Sequence, residues 1–286
     1  MPPNVPVRAM PPVPVLPALD GVRVATLEDL PRIATVAAAG FFHSPTFHYQ
    51  RVEHALYSDD TLLSYWTEYM RALRDPTSVV LVAEDVLLEH EDDTVYAALK
   101  NAASYSSATG RAGSKVVVGV ASVGFKPGSP YQGMFQPLCS QDGLESRLIP
   151  VNLNRDFCKE RVRVYNEATA PAKARHLEGQ MRLSTLAVHP AYWRRGHASR
   201  LVSWSTTLAD LDGVPMGISA VPQGAIIAAR AGFEERELVA VPRACVHNEM
   251  SVVGGPKAVE MELWVAIRHP CGTPVSGDSA TSLDLH

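Results

Sequence analysis

The chain has 286 residues, a formal net charge of −4, and 46% hydrophobic and 20% charged residues, the balance of an ordinary globular protein. Mild acidity argues against a general nucleic-acid binder, which needs a basic surface. No apolar run reaches the ~20 residues of a membrane-spanning helix, so no membrane partner is expected.

The four cysteines, Cys139, Cys158, Cys245 and Cys271, form no C-x-x-C pair and have no histidine at zinc-ligand spacing. Reduced thiols, a cytoplasmic setting and no metal site are expected. Residues 1–20 are proline-rich without an apolar core; they read as a disordered leader rather than a signal peptide. One domain is expected over residues 21–268, with insertions near 86–114 and 126–180, then a flexible tail over 269–286.

A short strand opens the domain at residues 22–25. Asp29 is placed as an N-cap and Pro31 in the first helical turn, where a missing N–H costs nothing. Leu30, Ile33, Ala34 and Ala37 mark one helix face, and Gly40 marks its end. The segment FFHSPTFHYQRV offers His43, His48 and Tyr49 as pocket residues. Against that stands a plainer reading, with the rings in the core and the histidines on the surface, which is preferred for each histidine. A second helix starts at Asp59 or Asp60, carries Leu62, Leu63, Trp66, Tyr69, Met70 and Leu73, and stops at Asp75–Pro76.

Strands at 79–85 and 115–125 should pair as a central hairpin. The acidic run between them, Glu89 to Asp93, reads as a solvated loop face rather than a metal site. Residues 126–150 are rich in Gly, Pro and Ser and read as loop. A basic helix follows over about 154–170, ended by Pro171. It is either a cover over a cleft, facing phosphates, or an exposed amphipathic helix.

The most informative stretch is MRLSTLAVHPAYWRRGHASRLVSWSTTLADL, from Met181. A strand at 183–188 stops at His189–Pro190. A basic turn with Gly196 follows, then an apolar stripe at helical spacing: Leu201, Trp204, Leu208 and Leu211. Gly213 lies where glycine commonly ends a helix. The first N–H groups of a helix have no internal partner and carry partial positive charge. With Arg194, Arg195 and a glycine that admits close approach, the turn suits a pyrophosphate. It is neither a P-loop nor a G-x-G-x-x-G fingerprint. A further strand (VPMGISA), the segment VPQGAIIAARAGF and strands at 237–241 and 259–267 complete the chain.

LAVHPAYWRRGHASRLV resembles the acetyl-CoA-binding segment of the GNAT superfamily of N-acetyltransferases. Val188, Pro190, Gly196 and Ala198 match its pattern, Gln/Arg-x-x-Gly-x-Gly/Ala after a Val-x-Pro strand end; Trp193 stands where Gln or Arg is usual. The later segment ends in the superfamily's Gly-Phe, here Gly232–Phe233. The resemblance implies an α/β fold, with a twisted, mixed, mostly antiparallel sheet whose central strands splay and are flanked by helices. It implies acetyl-CoA as cosubstrate, held by Leu186, Ala187 and Val188 and by Trp193, Arg194, Arg195, Gly196, His197, Ala198 and Ser199. The acceptor is then a primary amine of a small molecule or a protein.

A lysine-like amine titrates near 10.4, so freeing it at pH 7.4 costs about 4 kcal/mol and calls for a base. Glu178 and His176, just before the strand, are the candidates; a surface role is the alternative for each. His189 reads as a turn residue. The resemblance assigns the thioester oxyanion to the Ala187–Val188 backbone. It also places Ala228 where many members carry a tyrosine that protonates the leaving thiolate. That departure, with no obvious base, keeps a second reading open: a non-catalytic acyl-CoA-binding sensor or interaction module.

Overall fold

A computed structural model describes residues 14–105, 107, 113–137, 152–244 and 259–271. Its strands are β1 (Val22–Val24), β2 (Ser78–Val86), β3 (Lys115–Gly124), β4 (Met181–Val188), β5 (Met216–Ala220), β6 (Glu234–Pro242) and β7 (Val259–Arg268). Its helices are α1 (Leu30–Phe41), α2 (Pro45–Gln50), α3 (Ser58–Arg74), α4 (Ala97–Lys100), α5 (Lys159–Leu177), α6 (His197–Asp212) and α7 (Pro222–Arg230). The strands form one sheet in the order β1-β2-β3-β4-β5-β7-β6. Only β4 and β5 run parallel; the other neighbours are antiparallel. The expected mixed α/β architecture is present, including the central hairpin of β2 and β3.

The central strands read as continuous apolar runs because both faces are covered. Val80 and Val82 join α1 and α3 in one core cluster. Val79, Leu81 and Ala83 join Leu201, Trp204 and Leu208 of α6 in another. A third cluster packs α5 on β6 and β7.

The parallel pair is short. It runs from Met181 opposite Met216 to Leu183 opposite Ile218. Beyond Leu183, β4 follows β3 and β5 follows β7, so the two strands part. A register shift opposite Ser122/Val123 places the extra residue, Ser184, where the strands separate, and such a bulge bends a strand. Gly40 does more than end a helix: α1 runs past it to Phe41. A Cβ at Gly40 would lie 2.8 Å from the Val188 carbonyl oxygen, so glycine lets α1 reach the end of β4.

Several expectations need correction. The helix expected over 154–170 is Lys159–Leu177, with Pro171 inside it. Ala168, Ala172 and Leu177 bury against β6 and β7, and that packing outweighs the ~3 kcal/mol interior cost of proline. Its basic residues do not face a phosphate site: Arg161 pairs with Glu260, and Arg163 with Glu160 and Glu167. The acidic run is not simply solvated. Glu91 is buried, paired with Arg32 at 2.7 Å, and accepts the Tyr192 hydroxyl at 2.8 Å. No group of metal-binding side chains occurs among the described residues.

The aromatic segment holds an unforeseen helix, α2. The expected leader reaches too far, since Pro17 is buried and the Val15 carbonyl accepts the Tyr131 hydroxyl at 2.8 Å. At the other end the Cys271 N–H donates to Asp210 at 2.8 Å. Cys158 and Cys271 are free thiols. Cys139, Cys245, the leader's first thirteen residues and the tail beyond Cys271 lie outside the described residues.

Candidate active site

Where β4 and β5 part, a cleft of about 780 Å³ opens. It is lined by residues 183–188 of β4, the turn through Arg194 and Gly196, the start of α6 and α7, together with the α1–α2 junction, α3 and α5.

The backbone of β4 supplies donors to this gap. The His189 N–H donates to the Val118 carbonyl at 2.8 Å, on the β3 side. In an antiparallel ladder the direction alternates, so Ala187 also turns its N–H to β3. Leu186 and Val188 turn theirs to the gap. Of the two residues expected to hold an oxyanion, Val188 therefore has its N–H available and Ala187 does not.

The turn is shaped by two left-handed residues, Arg194 (φ 61°) and Gly196 (φ 84°). Gly196 is the N-cap of α6, and a Cβ there would meet nothing closer than Arg200 Nη2 at 3.8 Å. The space above the first-turn N–H groups of His197, Ala198 and Ser199 is thus open. Trp193, the departure from the pattern, has a visible task. Its Nε1–H donates to the Val188 carbonyl at 2.7 Å, and its ring meets His43 edge-on at 4.8 Å. The indole ties the turn to the strand end and leaves the Val188 N–H free.

The two other turn cations divide. Arg194 lines the cleft, whereas Arg195 turns away and donates to Asp85 at 3.1 Å. His197 contributes its backbone, not its ring: the side chain is buried and its Nε2 lies 2.9 Å from the same Asp85 oxygen. Burial pushes the Asp85 carboxyl up, but the Val86 N–H, Arg195 and His197 hold it below the ordinary value. Asp85 therefore anchors the turn from behind. Tyr192 does so as well, since its hydroxyl donates to Glu91 and accepts the Leu88 N–H. His189 is a turn residue as expected, its Nδ1 accepting the Ala191 N–H at 3.4 Å. Burial lowers its pKa to about 4, so it stays neutral.

Neither expected base lines the cleft. His176 sits near the end of α5, Nε2 2.9 Å from Glu237, and Glu178 is exposed at that helix's C-cap. Both lie before the first residue of β4, while the cleft opens beyond Leu183. Of the aromatic-segment candidates, His43 lines the cleft; Tyr49 is buried and donates its hydroxyl to the Pro242 carbonyl at 2.9 Å. His48 lies in a ring cluster with Phe42 and His54, and burial lowers its pKa.

Sequence reasoning missed Glu68 of α3, the single carboxylate among the cleft-lining residues. Its side chain is open to the cleft's water, yet the surrounding walls raise its pKa by desolvation, with Arg51 and Arg71 opposing. No spacing marked it, because on α3 it reads as one more polar position beside buried Tyr65 and Tyr69. Ala228 is buried on α7 and lines the cleft.

No family model matches the sequence. A protein of Stachybotrys chartarum described as an acetyltransferase is 29% identical over 221 residues, 77% of this chain and 83% of that one. Among solved structures, a Corynebacterium glutamicum protein described as histone acetyltransferase HPA2 and related acetyltransferase has a TM-score of 0.46 at 16% identity, covering 89% of this chain and 97% of that one. A mosquito arylalkylamine N-acetyltransferase-like protein has a TM-score of 0.44 at 15% identity, covering 87% and 98%. The architecture is a mixed, mostly antiparallel α/β sheet flanked by helices, and the sequence is similar to that of a protein described as an acetyltransferase.

Proposed function

We propose that the chain is an N-acetyltransferase that moves the acetyl group of acetyl-CoA to a primary amine. The observation that carries this reading is one continuous cleft lined both by the basic turn at the N-terminus of α6 and by a lone carboxylate, Glu68. The residues present fit coenzyme A. The open N-terminus of α6, Gly196 and Arg194 suit the pyrophosphate. The gap-facing backbone of Leu186 and Val188 suits an extended amide-bearing arm, as a strand edge does.

Acetyl-CoA supplies an activated acyl group as a thioester. The chain supplies the rest. Glu68, directly or through one water, takes the proton of the attacking amine; its raised pKa brings it closer to working pH than an ordinary carboxylate. The Val188 N–H, turned to the gap, would be the donor to the thioester carbonyl oxygen as charge gathers on it. No side chain matches the tyrosine usual at position 228, and Tyr165, which also lines the cleft, is made a weaker acid by burial. A thiol near 8.5 can leave as the thiolate, so transfer without that acid is workable.

Ala228 also favours the second reading, acyl-CoA binding without turnover. Free-thiol release from acetyl-CoA with an amine panel separates the two: amine-dependent release supports transfer, and tight coenzyme A binding without release supports the binding module. Free Cys158 and Cys271 fit a reducing, cytoplasmic setting.

A further inference from the structure

We propose that the acceptor is an arylalkylamine, a primary amine with a single positive charge on an aromatic body; this rests on the acetyl-transfer reading above. The acceptor half of the cleft is walled by Phe41, Phe47, Tyr65, Phe157 and Tyr165, with Glu68 as its carboxylate. These rings are already held in place. Phe41 stacks on Tyr65 with centroids 5.4 Å apart and planes 17° from parallel. Phe157 lies on the Arg51 guanidinium, 3.9 Å from ring centroid to Cζ. Aromatic walls favour a flat apolar body by offset or edge contact; the Arg51 guanidinium already takes faces of Phe47, Tyr65 and Phe157, which leaves the ligand's ammonium to Glu68.

The charges narrow the choice further. Arg51 is buried, paired with Asp156, and donates to Ser64 Oγ at 2.6 Å. It is half of a buried ion pair in the cleft wall, and its guanidinium still acts on the Glu68 carboxyl. One ammonium finds Glu68. A second ammonium on the same molecule finds no further carboxylate among the lining residues. Polyamines and aminoglycosides, with several ammonium groups, are selected against. A lysine side chain brings the charge but no ring.

The test is steady-state thiol release by the full chain at saturating acetyl-CoA. The acceptors are 2-phenylethylamine, hexylamine, spermidine, an aminoglycoside and a lysine-containing peptide. Coenzyme A binding is measured in parallel by calorimetry. The expected result is a kcat/KM for phenylethylamine about tenfold above hexylamine, the scale of aromatic and cation contacts in a partly dry site, and larger still over the others. Tyr165→Leu keeps the apolar bulk and should cut the phenylethylamine-to-hexylamine ratio at least about threefold; Phe41→Leu repeats the test should the first variant fail to fold.

A ratio near one, or a preference for spermidine, the aminoglycoside or the peptide, overturns the substrate class and leaves acetyl transfer standing. Coenzyme A binding with no thiol release for any amine overturns both.

Discussion

Gly196 is the position where cofactor binding can be separated from folding. Its φ of 84° is unfavourable for an L side chain, at about 1–2 kcal/mol for most residues and less for asparagine. A Cβ there meets no protein atom closer than 3.8 Å, so within the protein the cost comes from the backbone alone. A ligand lying on the first-turn N–H groups of α6 would meet that Cβ. Gly196→Val should therefore lose about 1–2 kcal/mol of stability and at least tenfold in coenzyme A affinity, about 1.4 kcal/mol. Gly196→Asn should regain most of the stability, because asparagine tolerates this backbone region, but not the affinity. Melting curves and calorimetric titration with coenzyme A measure both quantities. Full affinity in a folded Gly196→Val variant would refute the reasoning, since the pyrophosphate would then lie elsewhere.

Glu68→Gln should lower kcat by about 10²–10⁴, the scale of general-base catalysis. In the parent, kcat/KM should fall as pH drops through the raised Glu68 pKa, and in the variant that acid limb should vanish; a pH–rate series checks both. Ala228→Tyr should raise kcat, up to ~10²-fold, if thiolate departure limits the rate; an unchanged kcat with a folded variant would assign the limit to amine deprotonation. His189 is held neutral with a pKa near 4 against an ordinary 6.5. The unfolded chain therefore takes up a proton first as pH falls, and about 2 kcal/mol of stability should be lost between pH 6.5 and 5. His189→Asn, which keeps an acceptor for the Ala191 N–H, should flatten that stretch of a denaturation–pH series. A chain starting at Leu19 should fold but lose about 1 kcal/mol, because the Tyr131 hydroxyl loses the Val15 carbonyl; an unchanged melting temperature would show that the contact contributes nothing.

Local rules fixed the strand, turn and helix around Gly196. The Gly196 turn, the Gly213 stop and the apolar stripe of α6 all follow from near-neighbour geometry, and so they could be read in order along the chain; the left-handed φ at Gly196 is seen in the structure. The same holds for the strands, whose apolar runs needed only two covered faces. What lay beyond reach were choices settled by distant partners. Pro171 stays inside α5 because β6 and β7 bury that helix. Glu91 is an anchor because Arg32 and Tyr192 come from elsewhere to meet it. Glu68 lines the cleft, and Glu178 and His176 do not, because β4 and β5 part after Leu183, a register event that one strand cannot announce. A side chain's direction toward a cleft depends on where neighbouring elements separate, and only the packed sheet decides that.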